Sequence, residues 1–273
     1  MTNARQAANA ATFRSLHDPG ELVVLPNVWD CASAALFEAS GARALATSSS
    51  AVAWSLGFPD GEKLPAPLLV DVVARVARTV SIPVSVDLER GYGRTAHDVA
   101  ETVTRMLDVG AVGFNLEDHA GPPEELAERI VATRAAARRH GVDAFINARV
   151  DIVLHGTAPK ERHVEESLAR AKVYQDAGAD GLFVPGLRAP EHIEAIAKGT
   201  PLPLNVLSTP GLVDVSGLRR LGVRRLSVGG RLAEVALEAA RSACAELLAA
   251  GTYSSFFPPE ITYARMNGFF EGK

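Results

Sequence analysis

A chain of 273 residues, 47% hydrophobic and 22% charged, can bury a sizeable core as one large domain or two small ones. No apolar run reaches the ~18 residues that a membrane span needs, and a formal net charge of −4 argues against general nucleic-acid binding. The polar start Met1-Thr-Asn-Ala-Arg-Gln6 lacks the apolar centre of a secretory signal, and Cys31 and Cys244 offer neither a disulfide framework nor a zinc cluster, so the chain reads as cytoplasmic.

Short β-rich runs alternate with amphipathic helical segments from start to finish, and eight such pairs can be counted. The first run, Leu22–Leu25, ends near Asn27, Trp29 and Asp30, and the second, Ala44–Thr47, runs into Ser48, Ser49 and Ser50, with Asp60 further along the same long loop. The third, Val84–Asp87, is followed by Glu89 and the Gly-rich turn Arg90-Gly-Tyr-Gly93. Side chains two apart on a strand share a face, so Ser85, Asp87 and Glu89 point the same way if the strand stays regular that far. The fourth, Val112–Leu116, leads into Glu117-Asp118-His119, with Asn115 and Glu117 on one face and Asp118 on the other. The fifth, Ala144–Ala148, delivers Asn147, Arg149 and Asp151 at one parity. Gly181–Val184, Leu202–Val206 and Arg225–Val228 complete the set, the seventh supplying Asn205, Ser208 and Thr209 and the last opening into Gly229-Gly230.

Helices are predicted between the strands, for example Thr95–Val109 and Pro159–Ala177; the latter carries Pro at its start and Gly178 at its stop. The couplets Gly41-Ala42, Gly110-Ala111 and Gly178-Ala179 mark left-handed caps before the next strand. Strict alternation implies a parallel sheet covered by helices, and eight units favour closure into a (β/α)8 TIM barrel, which has no edge strands to protect. An open dinucleotide-binding sheet would want a Gly-x-Gly-x-x-Gly turn after the first strand, and Pro26-Asn-Val-Trp-Asp30 is unlike it. The whole chain, 1–273, reads as one barrel domain with 251–273 as a C-terminal tail. That tail carries Phe256-Phe257-Pro258-Pro259 and Phe269-Phe270. Exposed aromatic surface is unfavourable, so the tail is expected to pack on its own barrel or on a partner subunit, and a homo-oligomer is the preferred reading.

Barrel active sites form at the C-terminal ends of the strands, and here those ends are acidic. Neighbouring strands three, four and five bring together Asp87, Glu89, Glu117 and Arg149. Carboxylates without paired His or Cys suit Mg²⁺ or Mn²⁺, and Arg149 beside them suits bidentate binding of a substrate carboxylate. Plainer roles compete with these. Asp98 or Asp118 can cap helices, Arg149 can be a structural ion-pair partner, and Ser48 to Ser50 can be a polar turn. His119 and His155 read as solvated or structural, and Glu124, Glu125 and Glu128 as a solvated helix face. Gly229-Gly230 can cradle phosphate or simply allow a tight turn.

The chain resembles the isocitrate lyase and phosphoenolpyruvate mutase superfamily over nearly its whole length. The most specific match is Asp87-Leu-Glu-Arg-Gly-Tyr-Gly93, similar to that family's Asp-x-Asp-x-Gly-Tyr-Gly metal motif. Supporting matches are Asn27-Val-Trp-Asp-Cys-Ala-Ser-Ala34, Ala46-Thr-Ser-Ser49, Gly57-Phe-Pro-Asp60, Gly113-Phe-Asn-Leu-Glu-Asp118 and Asn147-Ala-Arg-Val150. The resemblance implies Mg²⁺ held directly or through water by Asp60, Asp87, Glu89 and Glu117, with Asp60 acting as an orienting group. It also implies Ser48, Ser49 and Arg149 around a bound oxyacid, to which the strand ends add Trp29 and Asn205 as substrate-binding candidates, and a last helix exchanged between subunits of a dimer or tetramer. Two departures stand out. Glu89 takes the place of an Asp, and only Asp118-His-Ala-Gly121 stands where family lyases carry a Lys-x-Cys-Gly-His gating loop whose Cys serves as acid or base. The resemblance therefore implies a Mg²⁺-dependent lyase that cleaves a C–C bond next to the carbonyl of a small α-keto or α-hydroxy acid through a metal-stabilised enolate. The alternatives are a mutase or hydrolase acting on a P–C bond and an oxyacid-binding barrel without catalysis.

Overall fold

A computed structural model describes residues 3–257 and 260–271; Met1, Thr2, Pro258, Pro259, Gly272 and Lys273, which belong to the polar start and the C-terminal tail, lie outside the described residues. The strands are β1 (Val23–Leu25), β2 (Asn27–Val28), β3 (Leu45–Thr47), β4 (Val84–Asp87), β5 (Gly113–Glu117), β6 (Phe145–Arg149), β7 (Gly181–Phe183), β8 (Leu204–Leu207) and β9 (Arg225–Ser227). The helices are α1 (Asn3–Ser15), α2 (Cys31–Ala39), α3 (Ser49–Ser55), α4 (Ala66–Thr79), α5 (Ala96–Asp108), α6 (Pro123–His140), α7 (His163–Asp176), α8 (Pro190–Gly199), α9 (Val215–Arg220), α10 (Arg231–Ala250) and α11 (Tyr263–Gly268).

All strand pairings are parallel, in the order β1-β9-β8-β7-β6-β5-β4-β3-β2. β1 and β2 are two halves of one stave. Pro26 separates them because it has no N–H to give the ladder, yet its carbonyl still accepts from the Ala46 amide at 3.3 Å. One half pairs with β9 and the other with β3, so the sheet closes into the expected (β/α)8 barrel. The helical stretch expected from Pro159 begins instead as a 3-10 turn over Lys160–Arg162, and the α-helix starts at His163. Gly41, Gly110 and Gly178 all have positive φ, at +95°, +104° and +100°, as their place at helix ends demands.

α1 plugs the N-terminal end of the barrel. Phe13 is fully buried and meets Phe145 edge-on at 5.7 Å, while His17 stacks on the same ring at 4.1 Å. A Cβ at Gly113 would lie 2.8 Å from the Phe13 ring, so the strand floor must be bare there. Gln6 donates to the carbonyls of Leu107 and Ala111, and Arg14 pairs with Asp143 and Asp180. Burial holds the His17 imidazole neutral, down to about 3.

A polar layer sits above the plug. Asn147 and Arg225 both donate to Asn115 Oδ1, at 2.9 and 3.1 Å, and Asn205 donates to Ser227 at 3.1 Å. With its N-terminal end stopped by α1, the barrel is open for chemistry only where the strands end.

α10 departs from the rest. Ala233 is the one residue of this 20-residue helix that is buried, leaving Val235, Leu237 and Leu248 exposed. Tyr253, Phe257, Tyr263 and Phe270 are exposed as well. Among the described residues, these side chains of the helix and the tail lie uncovered.

Phe13→Ala removes the plug's central ring from a site with no room to collapse, and should lower unfolding free energy by ~3–5 kcal/mol. Urea denaturation followed by circular dichroism measures this, and a loss below ~1 kcal/mol would contradict the plug's role.

Candidate metal and oxyacid site

The carboxylates predicted on strands three and four lie at the mouth close enough for Asp87 to act on both Glu89 and Glu117, each positioned by a different local device. Asp87 is the last residue of β4, and its amide donates to Thr47 Oγ1 at 2.9 Å, tying it to the neighbouring stave. Ser49 and the Glu89 amide hydrogen-bond to its carboxylate. Its Oδ1, buried, still has no partner among the described residues. Burial raises the Asp87 pKa, opposed by Arg149 and reinforced by Asp60.

Glu89 does not continue the strand, which ends at Asp87. It lies in the left-handed region at φ +49°, as does Tyr92 at +54°. That turn, and not strand parity, carries the carboxylate inward. The Tyr92 hydroxyl donates to Oε1 at 2.9 Å and the Glu62 amide to Oε2 at 2.8 Å. Burial and Asp87 push the Glu89 carboxyl up to about 7.

Glu117, 8% exposed, ends β5 in register with Arg149 at the end of β6. Its Oε2 lies 2.5 Å from Arg149 Nη1. Arg149 Nε also meets Asp151 Oδ1 at 2.6 Å. Asp151 is fully buried, and its amide donates to Asp118 Oδ1 at 3.0 Å. Burial raises Glu117 despite Arg149, because Asp151, Asp87 and Glu89 share that one guanidinium. Burial alone would weaken the Arg149 proton, but Glu117, Asp151 and Asp87 hold it more firmly than usual.

The other expected site residues fall into two groups. Ser48, Ser49 and Asp60 belong to the mouth. Ser48 Oγ caps α3 at the Ala51 amide and lies 3.1 Å from Ser50 Oγ. Asp60 is exposed and close enough to raise both Asp87 and Glu89. Trp29 and Asn205 are not brought against the carboxylates by any contact. Trp29 is half-buried, its ring edge-on to Phe37 at 6.1 Å. Asn205 lies fully buried in the polar layer, in register with Arg225. The amide of Gly229 is taken by Asn27 Oδ1 at 2.9 Å, which makes Gly229-Gly230 a turn braced by a side chain and not a free anion cradle.

Asp151 is the member that the strand pattern offered and that no role had claimed. Two residues beyond Arg149 at the same parity, it could have been chosen as that guanidinium's anchor. Asp98 takes the helix-capping role weighed for it, whereas Asp118 caps no helix, since the helix that follows it has Pro122 at its N-cap without a side-chain bond. Asp98 forms a capping box with Thr95, and Asp118 turns away from the mouth to Tyr174 Oη and Arg170 Nη1, each at 2.7 Å.

The donor set fits a hard dication. Asp87, Glu89 and Glu117 offer only oxygen, Asp87 Oδ1 has no hydrogen-bond partner among the described residues, and burial, together with the neighbouring carboxylates, raises Glu89 and Glu117. A separate group that could hold a metal ion, His119, Asp151 and His155, has its ligand atoms within 4.8 Å of one another.

The phosphoenolpyruvate phosphomutase family profile matches residues 13–248. A crystal structure of a candidate phosphonomutase from Burkholderia cenocepacia J2315 superposes with TM-score 0.82 at 44% identity, covering 86% of this chain and 98% of that one. An oxaloacetate decarboxylase of Paraburkholderia xenovorans is 31% identical over 92% of this chain and 85% of its own. A 2-methylisocitrate lyase of Aeropyrum pernix is 29% identical over 88% and 80%. With the profile spanning the entire barrel, the expected superfamily is established: the chain belongs to the phosphoenolpyruvate phosphomutase family, among the isocitrate lyase and phosphoenolpyruvate mutase enzymes.

Proposed function

We propose that this enzyme is a Mg²⁺-dependent lyase that breaks a C–C bond next to the carbonyl of a small α-keto or α-hydroxy acid. The observation that carries the reading is the convergence of Asp87, Glu89 and Glu117, all oxygen donors, beside an arginine held on two sides. Asp87 would hold the ion, with Glu89 and Glu117 reaching it directly or through water, and Mn²⁺ suits the same donors. When bound, the ion supplies Lewis acidity that draws electrons from the substrate's α-oxygen.

The protein's own groups do the rest. Arg149 binds Asp151 through Nε and Glu117 through Nη1, and neither bond uses Nη2, which remains to receive the substrate carboxylate. Because both anchors are buried, the guanidinium plane is set before substrate arrives. Ser48 and Ser49, at the start of α3, donate to the oxyacid's oxygens, and Asp60 orients water around the carboxylates. Trp29 and Asn205 bound the substrate space from the first loop and from below. Decarboxylation of oxaloacetate and cleavage of 2-methylisocitrate, the reactions for which two relatives are named, both leave electrons on a carbon next to a carbonyl. A second reading, P–C bond chemistry on the same site, is favoured by the candidate phosphonomutase at 44% identity. The barrel 1–273 acts as one unit in the cytoplasm, where Cys31 and Cys244 stay free thiols, and its exposed α10 and tail 251–273 pack on a second copy.

Turnover of an oxyacid panel that includes oxaloacetate, 2-methylisocitrate and phosphonopyruvate decides between the two bond types. With whichever acid reacts, Asp87→Ala should lower kcat/KM at least ~100-fold, and undiminished Mg²⁺-dependent turnover would sink the site.

Metal removal should make stability pH-dependent in a set direction. The folded state binds protons that the unfolded chain has lost, because Glu89 titrates near 7 instead of in the ordinary carboxylate range. The metal-free protein should therefore lose stability as pH rises from about 5 through about 7. Mg²⁺, which favours the ionised carboxylates, should raise Tm more at pH 8 than at pH 5, and Glu89→Gln should flatten that difference. Calorimetry with and without chelator reads this, and a Mg²⁺ effect independent of pH contradicts it.

Sedimentation velocity tests the assembly. Val235→Glu combined with Leu248→Glu should convert an oligomer to a monomer of unchanged fold, and a wild-type protein that is already monomeric at micromolar concentration would refute the docking of α10.

A further inference from the structure

We infer a second cation site, built from His119, Asp151 and His155 on the rim of the mouth, that takes a borderline divalent ion such as Zn²⁺, Co²⁺ or Ni²⁺. It shares no ligand with the Asp87, Glu89 and Glu117 set and does not depend on which bond the enzyme breaks.

The three residues come from two loops that follow neighbouring staves: His119 from the loop after β5, Asp151 and His155 from the loop after β6. Their ligand atoms lie within 4.8 Å of one another, and the two imidazoles meet edge-on with ring centroids 4.6 Å apart. Both histidines are exposed, while Asp151 is fully buried. A buried carboxylate flanked by two exposed imidazoles, one of which also lies 3.8 Å from Glu117 through its Nδ1, offers three ligand atoms to one ion.

A separate observation points to a ligand. Asp151 spends Oδ1 on Arg149, and its Oδ2, also buried, has no hydrogen-bond partner among the described residues. A buried carboxylate oxygen left without a donor costs free energy, and a cation drawn in by the two histidines would satisfy it. Two further features hold the group in place. The His155 amide donates to the Asp151 carbonyl at 2.9 Å, returning His155 over Asp151, and Asp118 fixes the Asp151 amide. The backbone of His119 is held at φ +50°, a conformation uncommon for a residue with a side chain.

Two imidazoles and one carboxylate select against Mg²⁺, which prefers oxygen, and for later first-row ions. Three protein ligands leave open positions that face solvent at the mouth. The position also has a consequence for the neighbouring site: Asp151 is the carboxylate that orients Arg149, so an ion on Asp151 reduces the negative charge that grips the guanidinium, and rim occupancy is felt where the oxyacid carboxylate binds.

The test is a Co²⁺ titration of the full chain in excess Mg²⁺, followed by visible d–d absorption, with circular dichroism as the check on folding. One equivalent should bind with a spectrum of nitrogen ligation. His155→Ala and His119→Gln, both changes at exposed side chains, should each weaken binding at least tenfold, whereas Asp87→Asn should leave the spectrum in place. Co²⁺ binding of unchanged affinity in both histidine variants overturns the site. So does a spectrum lost in Asp87→Asn and kept in the histidine variants, which would put the ion among the three carboxylates. The failure of the lyase reading is visible separately, as absent turnover across the oxyacid panel with Co²⁺ binding intact.

Discussion

One guanidinium shared among too many carboxylates governs the mouth of this barrel. Arg149 contacts Glu117 and Asp151 directly and is felt by Asp87, with Glu89 adding to the same field. Burial removes the water that would otherwise screen these charges. Neutral donors are therefore recruited around the acids: Ser49 and the Glu89 amide at Asp87, Tyr92 and the Glu62 amide at Glu89. What they cannot supply is positive charge. A site left in that condition retains protons or takes up cations.

The charge problem extends below the mouth. Arg225 is 1% exposed and lies 5.9 Å over the Phe13 ring, with Asn115 as its closest polar partner and no ion pair among the described residues. Burial weakens its proton, down to about 9, while Asp87 strengthens it. The barrel thus runs from an aromatic plug, through a layer of amides and one buried cation, to the carboxylates. Charge of one sign sits beneath an excess of the other, so the field in the interior is graded along the barrel axis.

Much of this architecture was legible in the chain because barrels impose simple rules. Parity along each strand was enough to put Asp87 on one stave and Glu117 and Arg149 in adjacent register, and strict alternation of strands and helices was enough for closure. Glu89 was rightly located but for an incomplete reason, since a left-handed turn positions it and sequence parity describes only regular strands. The break at Pro26 was hidden inside one apolar run, and the 3-10 start before His163 depends on packing that a helix-start signal does not encode. Asp151 and the two histidines escaped assignment because their meaning is relational. A carboxylate two residues past an arginine becomes an anchor, and two loop histidines become a pair, only once neighbouring staves bring them together.

The α1 plug has a consequence for the order in which the molecule is made. Phe13 precedes every strand of the barrel in chain order, yet its seat is completed by Asp180 through Arg14 and by Arg225 from the last stave. Contacts spanning most of the chain form late, and domains emerge from the N-terminus onward. The opening helix must therefore wait, apolar face uncovered, until almost the entire barrel has been synthesised. Its seating and the closure of the barrel are therefore linked, because the last stave supplies part of its socket.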